Sequence, residues 1–583
     1  MSGFCLVSEA VELSTPTLPL AGIKPGMQGE WKTVIQGTEV ETFRFEVLGT
    51  ARNFIGPERD VIIAKALDES QILSGPVGGM SGSPCFIDGK LIGAYAYGYT
   101  WPKEQAIIGI TPIADMLETF EKEKHRKSDE ARASPEASAP AGQASAQWQA
   151  QSGQAQLATL DLETVLQPLP TPLAISGFSA RTLNAFAEEM AQRGLEPVQA
   201  PIGFTTELTS ASIETASPVA GVLMSGDFSI AGVGTVTWRE GDQVLAFGHP
   251  FFGFGDEEMP MAPAEIITVI QSVARSFKLS NVGPIVGTIY QDRLTAIAGE
   301  IGQMPRTTQV SYTLRSPGEV ERTFTGELYR NKRFSPLFAA MGLMESMLFT
   351  MESGDEQTFY TTVTLHLEDY EPIVLEQVGS GPGAATGVAM QLMRAYGQLV
   401  DNPFASAEVT HIEADIRTVD SWILGGLHGI QNLSGNLHPG DLMHLAITVN
   451  NFQEERTRHR VSIPIPEGTS GEELLIFVGD AGAAERLERE QVAATIDSLD
   501  GIVDYLRKSR SNNNLYVKVL QRAQGLNLNG QRLDALPLSV RNLLSSRESP
   551  TMMTENRYIS LWETEISMPG RFDGQYTLTT RIE

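Results

Sequence analysis

"GPVGGMSGSPCFIDGKLIGAYAYG", residues 75–98, sets a serine inside a run of glycine. Gly75, Gly78, Gly79 and Gly82 fall within eight residues, where a surface turn needs one or two. Such a loop lets backbone N–H groups converge on one point. Convergent N–H donors beside a serine hydroxyl are what acyl transfer requires, because the oxyanion must be stabilised where it forms. Beyond the loop, "CFI" and "KLIGAYAYG" are joined by Asp88-Gly89, a type I′ hairpin signal. The serine therefore stands at the mouth of a sheet. On pattern alone the stretch reads equally as a glycine-rich turn with two incidental serines.

Around this loop, residues 22–120 are β-rich: "TFRFEVLG" alternates apolar and polar with period two. "TPIADMLETFEKEK" then reads as a short helix, with Thr111 as N-cap and Pro112 in the first turn. Residues 121–158 are a charged run followed by Ala, Ser, Gln, Gly and Pro, a mobile linker by composition. Strands resume over 159–355, including "VGTVTWREGDQVLAFGHPFFGFG". Residues 356–583 form a β-rich accessory region, expected as a β-sandwich with a helical segment near 483–510.

The chain has 583 residues, enough for several cores. It carries 71 acidic and 43 basic residues, a net charge of −28. That argues against nucleic acid as a partner, since phosphate binding needs a basic surface, and against an anionic membrane surface. No apolar run is long enough to span a membrane. The start, "MSGFCLVSEAVELS", has a short apolar piece and a Ser-Glu-Ala site but no basic region. It reads either as the remnant of an export signal, truncated or missing here, or as a fraying terminus. Two cysteines, Cys5 and Cys85, give no disulfide framework.

A serine nucleophile needs a base, most often histidine. Of eight histidines, His249 follows an apolar strand and is held between Gly248 and Pro250. His125 sits in the charged linker; His366, His444 and His459 fall in accessory strands, and His411, His428 and His438 in loops. An acid must orient the base. Asp68 ends the run "DVIIAKALD", Asp60 begins it, and Asp256 follows the histidine in an acidic turn. The N–H groups of Gly79 and Ser81 are the expected oxyanion donors. No metal-ligand spacing or nucleotide-binding glycine motif is present, so no cofactor or metal is expected.

The Gly-Met-Ser-Gly-Ser-Pro segment closely resembles that of the stage IV sporulation protein B peptidases, serine peptidases of the trypsin-like double-barrel class. "VGTVTWREGDQVLAFGHP" resembles their histidine segment, and "DVIIAKALDESQILSGPVGGMSGSP" their aspartate-to-serine segment. The resemblance implies Ser81 as nucleophile, His249 as base and Asp68 as orienting acid. It covers about 200 residues and leaves 356–583 unassigned. In those peptidases the histidine precedes the aspartate and serine; here the order is Asp68, Ser81, His249, as in a circular permutation. Two chain-distant halves must then pack as one double β-barrel. The expected activity is a serine endopeptidase outside the cytoplasm, acting on a protein or peptide substrate or on the chain's own linker. The alternative is a non-catalytic binding or scaffold protein of the cell envelope on the same fold.

Overall fold

The computed structural model describes residues 15–98, 106–120, 166–169, 171–199, 207–272, 276–349, 356–453, 456–469, 471–491, 498–528, 531–533 and 553–583. The linker expected at 121–158 lies outside the described residues. The chain is mainly β and divides into two compact units, Met1–Gly177 with Met190–Thr307, and Phe178–Glu189 with Thr308–Glu583.

The first unit holds two closed six-stranded barrels. Barrel one comprises β1 (Gln28–Val34), β2 (Val40–Gly56), β3 (Arg59–Ala66), β4 (Ser83–Ile87), β5 (Lys90–Gly98) and β6 (Ile107–Pro112). Its order is β4-β1-β2-β3-β6-β5, closed by β4 on β5. The β4–β5 turn is the expected one: Asp88 and Gly89 have φ of 49° and 73°, the left-handed pair a two-residue hairpin requires. Trp31, Phe45, Ile62, Cys85, Tyr95 and Ile110 fill the interior.

Barrel two comprises β7 (Pro218–Gly226), β8 (Ser229–Glu240), β9 (Gln243–Ala246), β10 (Gly255–Ile270), β11 (Gly287–Arg293) and β12 (Ala296–Ile301). Its order is β8-β9-β12-β11-β10-β7, closed by β7 on β8. Small residues such as Ala220, Ala231 and Ala262 line part of its core. A helix from Ile113 to Phe120 follows β6. Its Ile113, Met116 and Phe120, with Leu91 and Ala94, share one buried cluster with Trp238, Leu245, Tyr290 and Ala298. Apolar burial thus holds the serine-bearing half on the histidine-bearing half. The Thr111 N-cap expectation is corrected: Thr111 lies within β6, which runs on through Pro112, and its hydroxyl donates instead to the Gly248 carbonyl at 2.6 Å.

In the second unit, Thr307–Arg315 pairs in parallel with Val409–Val419, and Thr358–Leu367 joins the latter antiparallel. The division of the units at Thr307 follows from these pairings, since residues 309–315 find their partners at 411–417. Further on, two sheets share one core that includes Met443, Leu445 and Ile463 from one and Leu474, Ile476, Val517 and Val519 from the other. This is the expected sandwich. Helices Ala481–Gln491 and Leu499–Arg507 occupy the stretch read as helical.

Candidate active site at the junction of the two barrels

The glycine loop leaves the short strand Val77–Gly78, which pairs in parallel with strand Ser276–Val282. It then folds against β8 and the end of β9. The Ser81 carbonyl accepts the Thr235 N–H at 2.8 Å. The Thr235 hydroxyl donates to the Gly79 carbonyl at 2.9 Å, and the Thr237 hydroxyl to that of Gly82 at 2.7 Å. Gly82 has φ of 96°, and a Cβ there would lie 1.9 Å from the Thr235 carbonyl oxygen and 2.5 Å from the Phe247 nitrogen. Glycine is therefore required by close backbone approach as well as by conformation.

Within the loop, the N–H groups of Met80, Gly82 and Ser83 go to the carbonyls of Val77, Tyr95 and Met80. Those of Gly79 and Ser81, the expected oxyanion donors, are not used by these bonds. The Ser83 hydroxyl donates to the Met80 carbonyl at 2.6 Å and so closes the loop on itself. The Ser81 hydroxyl is fully buried and has no hydrogen-bond partner among the described residues.

His249 is delivered by a sharp turn. Phe247 has φ of 71°, unusual for a bulky residue, and the Gly248 N–H bonds back to the Ala246 carbonyl at 2.9 Å, as in a γ-turn. Two things hold this strain: the Thr111 bond to Gly248, and the Phe247 ring packed where Gly234 has no side chain. The His249 Nδ1–H donates to the Pro250 carbonyl at 2.7 Å, which leaves Nε2 as the acceptor nitrogen. That Nε2 is buried and unpartnered among the described residues. Burial pushes the imidazole down to about 4, with the Pro250 bond pulling the other way. The two loops meet at one junction, but the Ser81 hydroxyl and the His249 imidazole do not hydrogen-bond to each other.

None of the three candidate acids hydrogen-bonds to His249. Asp68 accepts from the Arg44 guanidinium at 2.9 Å, Asp60 from the Asn53 N–H at 2.9 Å, and Asp256 from Gln291 and Arg293. The carboxylate that serves the histidine loop is Asp292, which nothing in the sequence singled out. Almost fully buried, it accepts the N–H groups of Phe251, Phe252 and Gly253 at 2.8, 2.6 and 2.7 Å. Burial pushes its carboxyl up against the opposing pull of these donors.

Lys278 also escaped the sequence reading. Its side chain lies against Gly79, and its Nζ donates to the Thr33 hydroxyl at 2.7 Å and the Thr235 hydroxyl at 3.3 Å. Burial pushes this amine down to about 7. Of the remaining histidines, His411 and His428, expected in loops, lie in strands. Among the described residues no cluster of His, Cys, Asp and Glu is arranged to hold a metal. No protein family, curated protein or solved structure matches the chain.

Proposed function

We propose that this chain is a serine peptidase related to the stage IV sporulation protein B peptidases, acting outside the cytoplasm on a protein segment or on its own linker. One observation carries the reading. A glycine-built loop bearing Ser81 bonds to β8 of barrel two, and a strained turn bearing His249 bonds to Thr111 of barrel one, where two six-stranded barrels meet; among the described residues the Ser81 hydroxyl and His249 Nε2 are both unpartnered. Buried polar atoms are normally satisfied, so two such orphans at one junction point to a function.

In the proposed reaction Ser81 Oγ attacks the scissile carbonyl carbon and passes its proton to His249 Nε2. The Gly79 and Ser81 N–H groups receive the oxyanion. As the C–N bond breaks, His249 returns the proton to the leaving amine, and water then hydrolyses the acyl-enzyme. The Pro250 carbonyl fixes the productive tautomer, a task usually given to a carboxylate. The Ser–His hydrogen bond forms on substrate binding, as apo geometries often require.

The test is labelling with a fluorophosphonate probe. Wild type and Ser83→Ala should label, while Ser81→Ala and His249→Ala should not; labelling that survives Ser81→Ala refutes the nucleophile. A second reading, a peptidase fold that binds without cleaving, is favoured by the unmade Ser81–His249 bond and by the absence of a carboxylate on His249 among the described residues.

A further inference from the structure

Strand Gln167–Pro168 adds antiparallel to the end of β5, Pro168 opposite Tyr97 and Gln167 opposite Gly98. The Leu169 N–H continues the ladder to the Ala96 carbonyl at 2.8 Å. Leu166 packs with Ala96 and Tyr97. Leu169 is 2% exposed and joins the cluster that includes Val77, Met80 and Tyr95, at the root of the serine loop. Gly98 makes room for it: a Cβ there would lie 3.2 Å from Leu169 Cδ2.

The same segment then crosses to the other barrel. Thr171 lies beside Gly232, whose missing side chain is replaced by the Phe251 ring of the histidine loop. Leu173–Ser176 pairs antiparallel with β8, Leu173 opposite Gly232. Within a few residues the chain thus passes from the strand behind the Ser81 loop to the strand beside the His249 loop. The Thr171 hydroxyl is buried there without a partner among the described residues.

We propose that the ends of β5 and β8 beside the Ser81 and His249 loops form a groove for an extended peptide, bound as an added strand on β5 with a leucine-sized apolar side chain seated in the cluster of Val77, Met80 and Tyr95, and that residues 166–169 and 171–173 of this chain fill it. Backbone hydrogen bonds give such a groove its affinity and the apolar seat its specificity. Being covalently attached, the segment acts at high effective concentration and excludes competing peptides. The use of the groove for catalysis rests on the peptidase reading; its occupancy does not.

The test uses the full chain and a fluorescent peptide of sequence TVLQPLPTP, residues 164–172. Leu169→Asp places a charge in the apolar seat, and Leu169→Ala removes the contact without adding charge. Thermal melts establish that each variant is folded. By fluorescence polarisation, Leu169→Asp should bind the peptide at least about tenfold more tightly than wild type, and Leu169→Ala by a smaller factor, because the groove's vacant fraction rises. A peptide with Asp in place of the leucine of residue 169 should not bind. If Leu169→Asp does not fold, the Leu169→Ala comparison decides. Folded variants that bind no better than wild type overturn the proposal. Fluorophosphonate labelling of the same samples separates the two claims. Peptide binding without labelling keeps the groove and sinks the peptidase, whereas labelling of Ser81 without gain in peptide binding does the reverse.

Discussion

Raising the pH should stabilise the barrel unit through Lys278, and replacing that residue by methionine should abolish the effect. The amine titrates near 7 when folded against an ordinary value of 10.5. Below pH 7 both folded and unfolded chains carry the proton, and the burden on the folded state is constant. Between 7 and 10.5 the unfolded chain still binds a proton that the folded chain has released, so unfolding becomes harder as pH rises. Above 10.5 neither state holds the proton and the effect is complete. The slope is about 1.4 kcal/mol per pH unit, and between pH 7 and 9.5 the gain integrates to about 3 kcal/mol. The assay is urea unfolding of wild type and Lys278→Met, followed by the fluorescence of Trp31 and Trp238, which are buried one in each barrel. The difference in stability between the two chains should move by that amount in favour of wild type. A difference that stays flat across the range refutes the reasoning. It would mean that the Thr33 and Thr235 hydroxyls hold Lys278 charged in the folded chain.

Gly82→Ala should destabilise the barrel unit by more than about 3 kcal/mol, since its Cβ meets backbone and its φ is left-handed. Gly89→Ala, equally left-handed but in open space, should cost only about 1 kcal/mol in the same melts. Wild type should lose about 3 kcal/mol as pH falls from 6.5 to 4, because unfolded His249 takes a proton that the buried ring, near 4, refuses. His249→Gln should flatten that limb of the urea midpoint curve, and an unchanged limb would place the loss elsewhere.

Legibility in the sequence followed physical cause. The β4–β5 hairpin was readable because Asp-Gly is nearly obligatory where two consecutive residues need positive φ. The serine loop was readable because close backbone approach at Gly82 admits no side chain. Helix Ser335–Leu348 was missed because it is buried almost all round and so has no polar face to mark a 3.6-residue period. Lys278 was missed for the opposite reason. In "SFKLSNV" alternation assigns Phe277 and Leu279 to the core, yet the buried face is Ser276, Lys278, Ser280 and Val282. That strand packs its polar side against the serine loop, and period-two reasoning inverts its faces. Asp292 left no trace because a carboxylate that caps backbone N–H groups depends on a loop 40 residues away in sequence.

On the proposed reading, the order of the halves and the filling of the groove have one physical origin. The junction is made of local bonds: three threonine hydroxyls and one N–H reach across to the carbonyls of Gly79, Ser81, Gly82 and Gly248. None of these bonds depends on which barrel comes first in the chain. A serine-first order does impose one new demand, a connection from the end of barrel one to the start of barrel two. Such a connection is free to run over any face of the pair. Here Gln167–Pro168 pairs with the end of β5 and Leu173–Ser176 pairs with β8. Each pair satisfies edge backbone groups that would otherwise face solvent or a partner. On the proposed reading, the permuted order itself supplies the occupant. The segment that must join the halves is also the one best placed to compete with a substrate, and weakening Leu169 alone should open the groove while the junction bonds remain.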